Sequence, residues 1–231
     1  MNITVFHGSP RKGNTYKATT IFMDKLSKNQ NVHFTEFFLP DALPEFCIGC
    51  QLCLEITHDN CPHIQYTAPI YSAILSADAL IFATPHYGAC SMPASMKNLL
   101  DHLDFFTLTV APRKELFSKK AFIISTGSGS TATIKPIAKY LKNWGMNRVS
   151  SLGIRLFTNK WDNLPPKRQD SLEKKLREKA HRFYHLKKGV PYPSTIFMYY
   201  MSALVLKKFV KPGAYPYEYW SENGYFSKRP F

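Results

Sequence analysis

The chain has 231 residues, 45% of them hydrophobic and 20% charged, so it can bury a sizeable core and is not disordered. No apolar run reaches the ~18 residues that a membrane-spanning helix needs, which excludes an integral membrane protein. The formal net charge of +14 is concentrated in residues 160–231, with fifteen basic against six acidic side chains, and favours anionic partners.

The start, MNITVFHGSPRKGNT, lacks the charged and apolar regions of a secretory signal and reads as the first buried strand of a cytoplasmic enzyme. Residues 2–7 (NITVFH) form that strand, and Gly8 to Gly13 break it. From Asn14, apolar residues Ala18, Ile21, Phe22 and Leu26 recur three or four apart, which predicts a helix. Residues 32–38 (VHFTEFF) predict a second strand. Residues 40–63 are punctuated by Pro, Cys and Gly and predict a long loop, a length that usually carries function. A helix is predicted over 66–76, then a fully buried strand over 77–84 (ADALIFAT), a loop over 85–91 and a helix over 93–105. KAFIIST (120–126) is a strand ending in Gly127-Ser128-Gly129, followed by a helix over 131–144 and a fifth strand over 148–157. Residues 165–188 alternate in helical register.

Five apolar strands separated by helices mean an α/β fold, a doubly wound five-stranded parallel sheet covered on both faces. Ligands of such folds sit at the carboxyl ends of strands, so the unusual loops 8–15, 84–91 and 126–131 are expected to face one crevice. Residues 1–189 form the predicted domain, and 190–231 a C-terminal helical and irregular extension. Within it, 194–209 is apolar and Met/Tyr-rich with a basic end at Lys207, Lys208 and Lys211, and the last twenty residues are aromatic. Such a helix can lie on a membrane surface, but its shortness and weakly basic polar face favour packing on the parent domain or on a second subunit.

The first loop, Gly8-Ser9-Pro10-Arg11-Lys12-Gly13-Asn14-Thr15, has the glycine spacing of a nucleoside-triphosphate loop, but Asn14 replaces the required lysine. An ATPase or GTPase is therefore not expected. Hydroxyl and amide donors at Ser9, Asn14 and Thr15, the Arg11 guanidinium, loop N–H groups and a helix dipole still suit a phosphate. The plainer alternative is a turn with Asn14 or Thr15 as helix N-cap.

Gly-Ser-Pro-Arg-x-Gly-Asn-Thr after the first strand resembles the FMN-phosphate loop of the NAD(P)H-dependent FMN reductase branch of the flavodoxin-like superfamily. Thr84-Pro85-His86-Tyr87-Gly88 is similar to that family's Ser/Thr-Pro-x-Tyr loop, and Ser125-Thr126-Gly127-Ser128-Gly129 to its third flavin-contacting loop. The three matches, in order and spacing, cover about residues 1–160. His86 departs from the family's small aliphatic residue and is as readily a structural loop residue. The resemblance implies strand order 2-1-3-4-5 and bound FMN reduced by NAD(P)H. Ser9, Arg11, Asn14 and Thr15 would hold the phosphate, with backbone help from Lys12 and Gly13. Pro85, His86, Tyr87 and Gly88 would flank the ring on one side, and Thr126, Gly127, Ser128 and Gly129 on the other. Tyr87 can stack on a flat ring, and N–H groups around Gly88, Gly127 and Ser128 can reach its polar edges. Flavin carries the difficult chemistry, so no catalytic side chain is assigned.

Cys47, Cys50, Cys53 and Cys61 give C-x2-C-x2-C-x7-C-P, compact thiolate spacing that suits an iron–sulfur cluster or zinc, with His58 or His63 able to replace a cysteine. The pattern resembles that of iron–sulfur flavoproteins, which pass electrons between a 4Fe-4S cluster and FMN; free thiols or a redox disulfide remain open beside it. Cys90 lies outside the motif and reads as a small apolar filler. His181 and His185 are one helical turn apart with no third ligand evident. No zinc-finger, helix-turn-helix or RNA-binding signature accompanies the basic charge, so nucleic acid is not expected. The expected protein is an FMN-dependent NAD(P)H oxidoreductase, a homodimer or higher homo-oligomer with a small-molecule electron donor and acceptor. The alternative is an electron carrier relaying between a cluster and FMN.

Overall fold

The computed structural model describes residues 1–88 and 91–231, so the position of Cys90 lies outside the described residues. In chain order its elements are β1 (Asn2–His7), α1 (Asn14–Ser27), β2 (His33–Phe38), α2 (Leu39–Ala42), α3 (Leu52–Glu55), α4 (Ile64–Ser76) and β3 (Ala79–Pro85). Then follow α5 (Ala94–His102), α6 (Lys114–Ser118), β4 (Lys120–Thr126), α7 (Ser130–Asn143), β5 (Arg148–Ile154), α8 (Pro166–His185), α9 (Pro193–Phe209) and α10 (Tyr215–Glu222). The strands form one parallel sheet in the order β2-β1-β3-β4-β5, the expected doubly wound arrangement.

Successive side chains on a strand face opposite sides, and both sides here are apolar, which is why β3 and β4 read as continuous hydrophobic runs. Val5, Ile81, Phe122 and Ile124 pack with Ala18, Ile21, Phe22 and Leu26 of α1 and with Leu176, Ala180 and Phe183 of α8. Phe6, Leu80, Phe82 and Ile123 pack against α4, α5 and α7 through Ile74, Leu99 and Ile137.

The same alternation places two adjacent buried lysines on opposite layers. Lys119, only 6% exposed, donates from Nζ to the carbonyls of Leu75 (2.8 Å) and Ala77 at the end of α4. Lys120, 7% exposed, donates to Phe183 O (2.8 Å), Tyr184 O (2.8 Å) and Leu186 O (3.1 Å) at the end of α8. Each cation meets carbonyls at or just beyond the C-terminal end of a helix, at the negative end of its dipole.

Two expectations change. The 40–63 loop contains the short helices α2 and α3 and a 3-10 turn at His58–Asn60. The aromatic end is not wholly irregular: it contains α10, started by Pro216 in its first turn. The extension has its own small core, in which Tyr199 stacks on Trp220 at 4.9 Å and donates its hydroxyl to Tyr225 O (2.5 Å). Asn147 Oδ1 accepts from Tyr192 N (2.9 Å) and Thr195 Oγ1 (2.6 Å), which pins the start of α9. Arg113 Nη1 donates to the Tyr219 hydroxyl at 2.7 Å, and its guanidinium lies between the rings of Tyr71 and Tyr219. The outer face of α9, from Phe197 through Tyr200 to Leu204, is exposed.

Candidate active site

The carboxyl ends of β1, β3, β4 and β5 open on one cleft of ≈ 400 Å³, a small-molecule size. Ser9, Arg11, Gly13, Asn14 and Thr15 line it from the first loop, Pro85, His86 and Tyr87 from the second, and Thr126, Gly127 and Ser128 from the third. Three residues expected there lie outside the lining. Lys12 turns its ammonium over the rings of Tyr16 and Phe38. Gly88 has φ +59° and follows Tyr87, which pairs backbone to backbone with Ser91. Gly129 is the N-cap of α7 beneath the His86 ring, where an added Cβ would fall 2.3 Å from Cε1.

Leu156, Phe157, Thr158 and Asn159 form a fourth wall that the sequence reading missed. The predicted fifth strand ran to residue 157, whereas β5 ends at Ile154 and the chain leaves the sheet. The polar run Thr158-Asn159-Lys160 after an apolar strand was the available signal, since the strand-end rule applies to the fifth strand as well. Phe157 is 82% exposed at this wall.

Helix α1 begins at Asn14 with Gly13 as N-cap and no side-chain cap, so neither Asn14 nor Thr15 is the cap. The N–H groups of its first turn are therefore without a side-chain partner, an arrangement that suits an anion, beside exposed Arg11. Ser9 Oγ bonds Arg11 N (3.2 Å) and Arg11 O (3.3 Å), which shapes the turn. Asn14 Nδ2 donates to Thr158 O at 2.7 Å, while its Oδ1 is buried with no partner. Gly127 N donates to Ile154 O at 3.0 Å, so that N–H is not free to reach a ligand.

The walls are tied to one another. Thr15 Oγ1 and Thr126 Oγ1 are 2.7 Å apart, Ser95 Oγ donates to Gly8 O (2.9 Å), and His86 N donates to Thr126 O (2.8 Å). His86 Nδ1 lies 3.1 Å from Thr133 Oγ1, which holds its ring against α7. Among the described residues lining the cleft there is no carboxylate, lysine or cysteine.

The expected metal ligands lie away from this lining. Cys47 and Cys50 are exposed, Cys53 and Cys61 half-buried, and none of the four forms a disulfide. Burial pushes the Cys53 thiol up to about 11, and Cys61, Cys47 and Cys50 add smaller contributions. His181 and His185 contact each other edge to face on α8.

The family model for NADPH-dependent FMN reductases matches residues 1–154. The crystal structure of an NADH:FMN oxidoreductase (EMOB) in its apo form is similar at TM-score 0.57 and 19% identity, over 83% of this chain and 96% of that one. An NAD(P)H:quinone oxidoreductase from Methanothermobacter marburgensis is similar at TM-score 0.62 and 15% identity, over 80% and 96%. FerB, a flavoenzyme NAD(P)H:(acceptor) oxidoreductase from Paracoccus denitrificans, gives 0.52 and 17%, over 79% and 94%. At these identities the likeness is one of fold. No curated protein matches the chain. Among the described residues no helix is long and apolar enough to cross a membrane.

Proposed function

Since this chain belongs to the NADPH-dependent FMN reductase family, an NAD(P)H-dependent flavin oxidoreductase, we propose that its four-walled cleft is the FMN site. The observation that carries this reading is the uncapped start of α1 beside Arg11, a dianion cradle at the foot of a cleft whose upper walls are aromatic and small. Arg11 and the first-turn N–H groups would bind the phosphate, with Ser9 and Thr15 bracing the loop. The buried, unpartnered Asn14 Oδ1 is an acceptor, which suits a ribityl hydroxyl better than a phosphate oxygen. Pro85, His86 and Tyr87 would bound one side of the ring and Thr126 to Ser128 the other, with Phe157 at the mouth.

FMN, when bound, supplies the acceptance of hydride from NAD(P)H and the onward transfer of electrons. The chain's own part is to bind and orient, and a cleft without carboxylates fits the anionic partners involved. The onward acceptor is inferred to be a small molecule of the flavin or quinone class, and the working form a cytoplasmic homodimer with residues 190–231 as an appendage to the 1–189 domain.

The test is FMN titration of Arg11→Ala. A charge-assisted hydrogen bond is worth about 1.5–3 kcal/mol, so affinity is expected to fall tenfold or more with the fold intact. Unchanged affinity would remove the phosphate assignment. A second reading, an electron relay between FMN and a 4Fe-4S cluster on Cys47, Cys50, Cys53 and Cys61, rests on the spacing of those cysteines, with the other three close enough to act electrostatically on Cys53. Iron and acid-labile sulfide in the anaerobically purified protein decide it.

A further inference from the structure

Outside the cleft, three metal-ligating atoms meet where the cysteine loop crosses the end of α5. Cys61, His63 and His102 each offer one donor atom, and the three lie within 4.8 Å of one another. His63 Nδ1 is 3.0 Å from His102 Nε2. Two nitrogens sharing a tetrahedral zinc ion with bonds of about 2.0–2.1 Å would stand about 3.3 Å apart, so only a small adjustment separates the two arrangements.

The surroundings are already those of a ligating histidine. His102 is 5% exposed, and its Nδ1 faces the Asn98 carbonyl at 3.0 Å. A carbonyl oxygen can only accept, so Nδ1 carries the proton and Nε2 presents its lone pair to His63 and Cys61. Fixing one ring nitrogen on a backbone carbonyl while the other binds is how ligating histidines are oriented. The Asn98 side chain also clasps the incoming loop: Nδ2 donates to Glu45 O (2.8 Å) and Leu43 O (3.3 Å), and Oδ1 accepts from Cys47 N (2.9 Å). The loop is thus held to α5 independently of any ion. Beside the three donors is a void of ≈ 10 Å³ lined by Cys53, His58, Cys61 and His102, about room for one further small ligand.

We propose that Cys61 Sγ, His63 Nδ1 and His102 Nε2 bind one zinc-class divalent cation that fastens the cysteine loop to α5. The donor set differs from the four-cysteine motif: it uses one thiolate and two imidazoles, and His102 comes from an element forty-one residues beyond Cys61 in the chain. Binding is balanced by loss of one proton. The Cys61 thiol releases its proton to solvent, and neutral His63 moves its proton from Nδ1 to Nε2. One thiolate with imidazoles suits zinc or cobalt better than magnesium or calcium. The start of α5 abuts the cleft through Ser95, while His102 ends that helix about 10 Å further along, so the role is structural rather than catalytic.

The test uses the full-length protein, stripped with a chelator and titrated with Zn²⁺ against a chromophoric competitor. One ion per chain is expected, with His63→Gln and His102→Gln each weakening it at least tenfold and the Cys47→Ser/Cys50→Ser double variant leaving it unchanged. Cobalt substitution of the unaltered protein guards against variants that fail to fold. A visible band of tetrahedral Co²⁺ with a single-thiolate charge-transfer band supports the site. A band intensity fitting three or four thiolates, or loss of metal in the Cys47→Ser/Cys50→Ser variant alone, overturns it in favour of the cysteine motif. Absence of Zn²⁺ uptake at micromolar concentration also overturns it and leaves a hydrogen-bonded histidine pair.

Discussion

Gly129 shows how one missing methyl sets the shape of the cleft wall. His86 lies over it, held at Nδ1 by Thr133 and at its N–H by Thr126, and an added Cβ would stand 2.3 Å from the ring's Cε1 and 2.5 Å from its Nε2. No atom can be accommodated at that distance, and the backbone is tied, so the ring must leave. Gly129→Ala is expected to lower FMN affinity about tenfold, as titration would show, because His86 swings into or away from the proposed ring site. The paired change His86→Ala/Gly129→Ala removes the collision and should recover most of the loss. Equal losses in the single and paired variants would mean that the ring's place over Gly129 does not matter to the ligand. The pairing of these two residues was not legible in the sequence. The sequence reading has Gly129 flanking the ring; in the structure its missing Cβ makes room for the His86 ring.

At the scale of elements, the sequence was clearest where both faces of a segment are buried. ADALIFAT and KAFIIST each hold an unbroken apolar run, 79–83 and 121–124, with polar residues only at the ends, so β3 and β4 were legible to within two residues. The loops after them were legible because glycine and hydroxyl residues cluster there. What was not legible depended on tertiary contacts. Leu156 is buried outside the strand and so extended its apparent length. The four residues of α3 are too few to show a period, and His63 and His102 carry no spacing signal because the start of α4 and the end of α5 bring them together. The lysine caps belong to this same class: nothing in the sequence links Lys120 to the end of α8. Lys120→Met removes the cation from three helix-end carbonyls that water reaches poorly, and should cost about 2 kcal/mol of stability. Urea unfolding measures it, with Lys120→Arg losing less; a midpoint within error of the unaltered protein would mean the carbonyls find other partners.

At the scale of the whole molecule, stability should depend on pH through buried imidazoles. His7 closes β1 under the first loop, 2.7 Å from Glu36, with Lys12 nearby. Burial holds it below its ordinary 6.5 more strongly than Glu36 raises it, and Lys12 lowers it further. His58 and His102 are also lowered, chiefly by burial. Between the folded values and 6.5 the unfolded chain therefore binds more protons than the folded one. Stability is full above about pH 6.5 and declines as pH falls below it. Denaturant unfolding at pH 7.5 and 5.5 should show this loss, smaller in His7→Gln; an unchanged difference would clear His7 of the effect. The two neighbouring lysines have a further consequence for how the chain finds this fold. β4 sits centrally enough that a neighbouring register along β3 or β5 would look almost as greasy and almost as good. Slipping by one residue, however, turns each lysine to the opposite layer, where at most one of them takes the other's place and the second is left in hydrocarbon without its carbonyls. The pair works as a two-pin key: only one alignment of the strand seats both cations, and that same alignment sets the strand ends from which the cleft is built.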